Sequence, residues 1–227
     1  MMSALERAAW WFDQVSECLQ QSFLSQGQVL VDAAECLANA LIQEHRILIC
    51  GNGGSASNAQ AFSTMLLNRY HRERPALPAM LLTPDLATFS AIVGESSFAD
   101  VFARSVRAFG REGDILVCLS ATGQASNIMQ AIEAAHEQEM PVIALTGYDG
   151  GDVIRMLRAE DYSINVQVDR HALIHSTHLC MLQSLAHLID DQLFGEDELE
   201  TQRPLEDEQL MNDGPMEWNP WEHHAHD

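Results

Sequence analysis

The chain has 227 residues, 47% of them hydrophobic, which suits one domain of ordinary size with a full core plus an extension. A formal net charge of −21, with an isoelectric point near 4.6, argues against direct nucleic-acid binding, because phosphate contacts need Lys and Arg. A basic protein partner is compatible with that charge.

In chain order, the first 45 residues read as two helices, with Trp11, Val15 and Leu19 and then Leu30, Ala33, Ala34, Leu37 and Leu41 at helical spacing and Gly27 near the junction. The pattern then changes to short apolar runs of the kind found in buried parallel strands, at residues 46–50, 78–82, 115–119, 142–145 and 162–168. Helical patterns lie between them at 55–69, 86–93, 99–109, 126–137 and 152–157, and a long helix over 172–194 closes the domain. Strand alternating with helix predicts an α/β fold with a parallel sheet covered on both faces. Residues 196–227 carry eleven acidic side chains against one basic residue, Arg203, and no long apolar period. The expected organisation is therefore a domain over 1–195 and a disordered acidic tail, in which Met216, Trp218 and Trp221 are the docking candidates.

Five scattered cysteines, Cys18, Cys36, Cys50, Cys118 and Cys180, form no C-x-x-C pair and read as free thiols in a reducing compartment. No signal-peptide pattern opens the chain and no apolar run approaches the roughly 20 residues that span a bilayer. The expectation is a cytoplasmic protein with no membrane or nucleic-acid partner.

Three stretches carry candidate chemistry. Gly51-Asn52-Gly53-Gly54-Ser55-Ala56-Ser57 follows a strand and opens a helix, where free N–H groups and the helix dipole favour an anion and glycine allows close approach. The spacing is neither a dinucleotide fingerprint nor a P-loop, so a nucleotide is not indicated. Ser120-Ala121-Thr122-Gly123-Gln124-Ala125-Ser126-Asn127 also follows a strand and opens a helix, and two such loops at strand ends together point to a phosphate site. His171, His175 and His178 share one helical face that continues inward as Leu182, Leu185 and Ile189. Three histidines can bind zinc; here they read as core histidines rather than as a metal site. Leu193-Phe194 ends the last helix and either enters the core or stays exposed as a partner anchor.

Together, GNGGSA after a strand, the loop at Ser120, ALTGYDGG at residues 144–151 and the histidine-bearing last helix resemble the SIS phosphosugar proteins, over about residues 10–195. The runs at 68–79 (NRYHRERPALPA) and 110–120 add to the likeness. Within that family the chain resembles the branch shared by the phosphoheptose isomerases and the DnaA initiator-associating proteins, and the Asn58-Ala59-Gln60 stretch, ALTGYDGG and Leu188–Phe194 look closer to the latter.

The resemblance implies a SIS fold, a five-stranded parallel sheet wound in the flavodoxin manner, two N-terminal helices, a long C-terminal helix and a homotetramer. It implies a phosphosugar pocket built on Asn52, Gly53, Ser55, Ser120, Thr122, Ser126, His175 and His178. The isomerases act on sedoheptulose 7-phosphate with a glutamate and a histidine, and those two positions are Met65 and Gln183 here. Zinc, where the isomerases bind it, uses four positions that are Ala61, Met65, His175 and Gln183 in this chain. A thioether and a methyl group do not replace the two lost ligands, so no cofactor and no metal are expected. Met65 cannot take a proton, and losing one catalytic base costs on the order of 10²–10⁴ in rate. The initiator-associating relatives bind the replication initiator DnaA as tetramers, which tips Leu193 and Phe194 toward a partner anchor. The expected function is a DnaA-binding regulator, with an isomerase or a non-catalytic phosphosugar sensor as the alternatives.

Overall fold

The five apolar runs become five parallel strands. The computed structural model describes residues 2–195, and places β1 (Ile47–Gly51), β2 (Ala79–Leu81), β3 (Ile115–Ser120), β4 (Val142–Gly147) and β5 (Tyr162–Val166) in the order β2-β1-β3-β4-β5. Register sets Cys50 beside Cys118 and Ser120 beside Thr146. Strand residues alternate between faces. Ile47 and Ile49 of β1 and Val117 and Leu119 of β3 enter one core. Leu48, Cys50, Leu116 and Cys118 enter the other. With both faces covered, β1, β3 and β4 are buried throughout, which is why they read as unbroken apolar runs.

Seven helices complete the described residues: α1 (Ala4–Ile42), α2 (Gly54–Leu67), α3 (Leu86–Glu95), α4 (Asp100–Phe109), α5 (Ser126–Glu137), α6 (Gly151–Met156) and α7 (His171–Phe194). Helices α1, α2 and α7 cover the first core, and α4 and α5 the second. The acidic tail predicted over 196–227 lies outside the described residues. No single described helix is long and apolar enough to cross a membrane, and α3 and α4 meet at a bend of 114°.

The two helices expected at the N-terminus are one helix of 39 residues. Glycine inside a helix costs only about 1 kcal/mol relative to alanine, and packing along the chain outweighs it. Gly27 also has a reason to be small: a Cβ there would lie 3.2 Å from the Phe23 ring. Serine 3 and Glu6 close a reciprocal capping box at the start of α1. At its other end Glu44 takes a left-handed conformation (φ 64°), and the His45 N–H donates to the Ala40 carbonyl.

All five cysteines are free. Burial pushes the Cys50 thiol well up and that of Cys118 to about 12, so both are inert core groups. Cys180 is exposed, contrary to its apolar sequence surroundings, because it lies on the outer side of α7.

Candidate functional site at the carboxyl edge of the sheet

In a sheet of this order the chain reverses winding direction between β1 and β3, and ligands bind in the crevice at the strands' carboxyl ends there. The two glycine- and hydroxyl-rich loops both leave from this point. The first runs from Gly51 into α2 and the second from Ser120 into α5. They are tied by two hydrogen bonds: Asn52 Nδ2 donates to Asn127 Oδ1 at 2.8 Å, and Asn127 Nδ2 donates back to Asn52 Oδ1 at 2.9 Å. Asn127 is fully buried, so this amide pair fixes the spacing of the loops from inside. The sequence signals this role of Asn127 only by an amide on the inward side of the first turn of α5.

Gly53 caps α2 with φ 53°, a conformation open to glycine and costly to other residues. Among the described helices only α1, by Ser3, and α3, by Asp85, have a side-chain cap; α2 and α5, like α4, α6 and α7, have none. Their first N–H groups therefore remain to be satisfied by water or a ligand. Ser55 is buried at the head of α2, and Ser126 is exposed at the head of α5. The other two hydroxyls are partly spent within their own loop. Ser120 Oγ accepts from the Gly123 N–H at 3.1 Å, and Thr122 Oγ1 accepts from the Gln124 N–H at 3.3 Å. Gly123 sits at φ 65°, where a Cβ would come within 1.9 Å of the Gly150 carbonyl, so the β3 and β4 loops are pressed together.

The three histidines of α7 grade from exposed to buried. His171 is exposed at the first residue of the helix. His175 is half-buried beside the first loop: a Cβ on Gly54 would lie 2.7 Å from its Nε2, and its carbonyl accepts from Asn58 Nδ2 at 2.8 Å. Burial, and then His171, hold His175 below the usual imidazole range. His178 is fully buried, and Nε2–H donates to the Thr146 carbonyl at 2.9 Å. Burial lowers it to about 4. The structure thus brings Asn52, Gly53, Ser55, Ser120, Thr122, Ser126 and His175 to one edge, while His178 anchors α7 to β4 from within the core.

Ala61 and Met65 are half-buried on α2, and Gln183 is half-buried on α7, which packs against it. Met65 joins the first core. Among the described residues no three His, Cys, Asp or Glu side chains come together as a metal set. One imidazole, one amide, a thioether and a methyl group do not fit zinc.

Leu193 and Phe194 lie at the far end of α7, about 28 Å from His175 at 1.5 Å per residue. The pair splits: Leu193 packs against the first core, and Phe194 is 41% exposed.

The SIS domain model matches residues 10–147. The chain belongs to the SIS domain family. Among curated relatives, the phosphoheptose isomerase of Chromohalobacter salexigens is 45% identical over 166 residues, covering 73% of this chain and 84% of that protein. The phosphoheptose isomerase of Coxiella burnetii is 45% identical over 164 residues, covering 72% and 82%. Among solved structures, the phosphoheptose isomerase of Neisseria gonorrhoeae superposes with a TM-score of 0.78 at 37% identity, covering 83% of this chain and 100% of that one. That of Francisella tularensis gives 0.80 at 35% identity, with 84% and 100% covered. These relatives carry the isomerase name. The closer likeness to the DnaA initiator-associating branch, expected from the sequence, gains no support from them.

Proposed function

We propose that this SIS protein binds a sugar phosphate of the sedoheptulose 7-phosphate class at the carboxyl edge of its sheet and does not isomerise it by the family's acid–base route. The observation that carries the reading is the pair of uncapped helix starts, α2 and α5, locked side by side by Asn52 and Asn127. Two sets of unspent N–H groups at one crevice suit a phosphate. The relatives' name and this geometry agree on the ligand class. Chemistry is the point of departure, because Met65 and Gln183 stand where the resemblance places the acid and base, and His178 is committed to Thr146. The proposal carries no zinc.

Sedoheptulose 7-phosphate at ten times its dissociation constant is expected to stabilise the native state by about 1.4 kcal/mol, read as a rise in the thermal midpoint. The same sample is expected to give no isomerised product at high protein concentration. Absence of stabilisation at millimolar ligand would overturn the binding reading, and turnover at the pace of an isomerase would overturn the non-catalytic one.

A second reading, a homotetrameric regulator that binds the DnaA initiator protein, is favoured by one specific feature: Phe194, an exposed aromatic at the end of a helix whose neighbour Leu193 is already seated. Exposed aromatics of this kind anchor protein interfaces. Trp10, Phe12, Phe23 and Leu24, exposed along α1, are the surface a tetramer would cover. Phe194→Ala is expected to change stability by no more than about 0.5 kcal/mol and to abolish capture of purified DnaA on a sensor surface. Leu193→Ala is expected to cost about 1–2 kcal/mol, a reduced share of the value for a fully buried leucine. DnaA capture that Phe194→Ala leaves intact would move the contact elsewhere, and no capture at micromolar protein would remove this reading.

A further inference from the structure

Asn52 and Gly53 form the only Asn-Gly step in the chain, and it lies in the first loop of the proposed cradle. Such a step is chemically labile. The backbone nitrogen that follows an asparagine can attack the asparagine's own side-chain carbonyl, and glycine leaves that approach open because it has no Cβ. Space is not the obstacle here: a Cβ added at Gly53 would meet no described atom within 4 Å, and Gly53 is exposed, so water and hydroxide reach the loop. The restraint lies in the asparagine side chain. Attack needs the Asn52 amide to turn toward its own backbone, and both ends of that amide are held by Asn127, at 2.8 and 2.9 Å. Asn127 is fully buried, so turning Asn52 away would strand an amide that water does not reach.

We infer that Asn52 is a latent deamidation site, that Asn127 holds it unreacted, and that its conversion shuts the phosphate cradle; the last step rests on the sugar-phosphate reading above. The reaction consumes only water. The Gly53 nitrogen gives its proton to hydroxide and bonds to Asn52 Cγ. The Cγ–Nδ2 bond breaks, and Nδ2 leaves as ammonia with a proton from water, which returns the hydroxide. The cyclic imide so formed joins residues 52 and 53. Water opens it at one of its two carbonyls, giving aspartate or, where the main chain now runs through Cγ, isoaspartate. Either product carries a carboxylate. Neither of the two loops and no residue of α2 bears a charged side chain, so this is the first charge among them, and it has the sign of the phosphate. An aspartate at 52 also has no N–H for Asn127 Oδ1, so one of the two bonds that tie the loops becomes a contact between acceptors. Isoaspartate lengthens the main chain by one carbon just before Gly53, whose φ of 53° opens α2.

Peptide mass spectrometry of the full chain, kept in mildly alkaline buffer, follows the gain of one mass unit at Asn52 with time. The native wild type is expected to convert about tenfold or more slowly than the same protein unfolded in urea. Asn127→Ala is expected to convert about tenfold faster than the native wild type, the effect of losing two ordinary hydrogen bonds. Leu193→Ala, which lowers stability at the far end of α7, is expected to leave the rate unchanged. If Asn127→Ala loses its native circular dichroism, Asn127→Ser takes its place. Equal rates in the native and unfolded wild type overturn the protection. Equal acceleration by Leu193→Ala and Asn127→Ala assigns it to the fold at large and overturns the part given to Asn127. Asn52→Asp supplies the product directly, and isothermal titration is expected to show it binding sedoheptulose 7-phosphate about tenfold or more weakly than the wild type does. Equal affinity overturns the closure of the cradle. A wild type that binds no sugar phosphate overturns that reading and the closure with it, while the conversion rates still decide the modification.

Discussion

Arg74→Met is expected to lower the unfolding free energy by about 3–5 kcal/mol, the range for removing one partner of a buried ion pair. Arg74 is 1% exposed and Asp190 5%, and Nε donates to Asp190 Oδ1 at 2.6 Å. The remaining guanidinium N–H groups donate to the carbonyls of Leu66 at 2.9 Å, Pro75 at 3.1 Å and Met65 at 2.7 Å. Met65 and Leu66 lie in the last turn of α2, whose carbonyls have no helical partner, so one guanidinium both caps α2 and clamps it to α7. Removing it strands the Met65 carbonyl, while that of Leu66 keeps the Leu77 N–H at 3.0 Å, and leaves a buried carboxylate whose Oδ2 already has no hydrogen-bond partner. Burial pushes the Asp190 carboxyl up while Arg74 holds it down, so without Arg74 the group is driven toward its neutral form. Arg74→Met/Asp190→Leu, which removes both charges, is expected to recover a large part of the loss. Urea unfolding of the three proteins measures this. A loss under about 1 kcal/mol for Arg74→Met would show that water or a neighbouring group replaces the guanidinium.

That clamp shows what the sequence disclosed and what it withheld. Arg74 lies in a stretch that strengthened the family resemblance, yet a charged residue in a polar segment gives no sign that it will be buried; Asp190, its partner, is 116 residues away. The strands were legible because burial on both faces leaves unbroken apolar runs, and α5 (Ser126–Glu137) begins and ends where its pattern does. The long α1 was misread as two helices because a glycine weakens a helical pattern locally, while the contacts with α7 that carry α1 across Gly27 are invisible in a linear reading. At the site, the glycine- and serine-bearing loops were legible because their residue types follow from the backbone they must adopt. Their coupling through Asn52 and Asn127 was not, since two amides 75 positions apart announce no pairing. The sharing of labour among the histidines was hidden for the same reason. Spacing put three imidazoles on one face, and only the neighbouring elements decided that His175 borders the loop while His178 is spent on β4.

His178 is expected to make the fold acid-sensitive, at a loss of about 3 kcal/mol between pH 7 and pH 4. The Thr146 carbonyl can only accept, so Nε2 carries the proton and Nδ1 does not. Nδ1 is buried with no partner. Protonating it would place a second N–H, without an acceptor, and a full charge in the core at once. Hence the folded-state value is about 4, with burial as the main cause, the Thr146 bond opposing it and His175 adding to it. The unfolded value is near 6.5. A histidine depressed on folding contributes stability that is fully present above the unfolded value and is lost as pH falls toward the folded one, at about 1.4 kcal/mol per unit. His175, also lowered but partly solvated, adds a smaller loss of the same sign. Asp190, raised on folding, works the other way, since its neutral form suits the fold and its contribution is lost as pH rises. A raw pH profile therefore mixes these groups, and the informative quantity is the difference between the wild type and His178→Met, whose thioether fills similar volume and does not titrate. Urea unfolding free energies measured from pH 4.5 to 7.5 should fall more steeply for the wild type, by about 2–3 kcal/mol over that range. Parallel profiles would mean that His178 gains an acceptor when charged, and that the end of β4 gives way to let a carbonyl or water reach Nδ1.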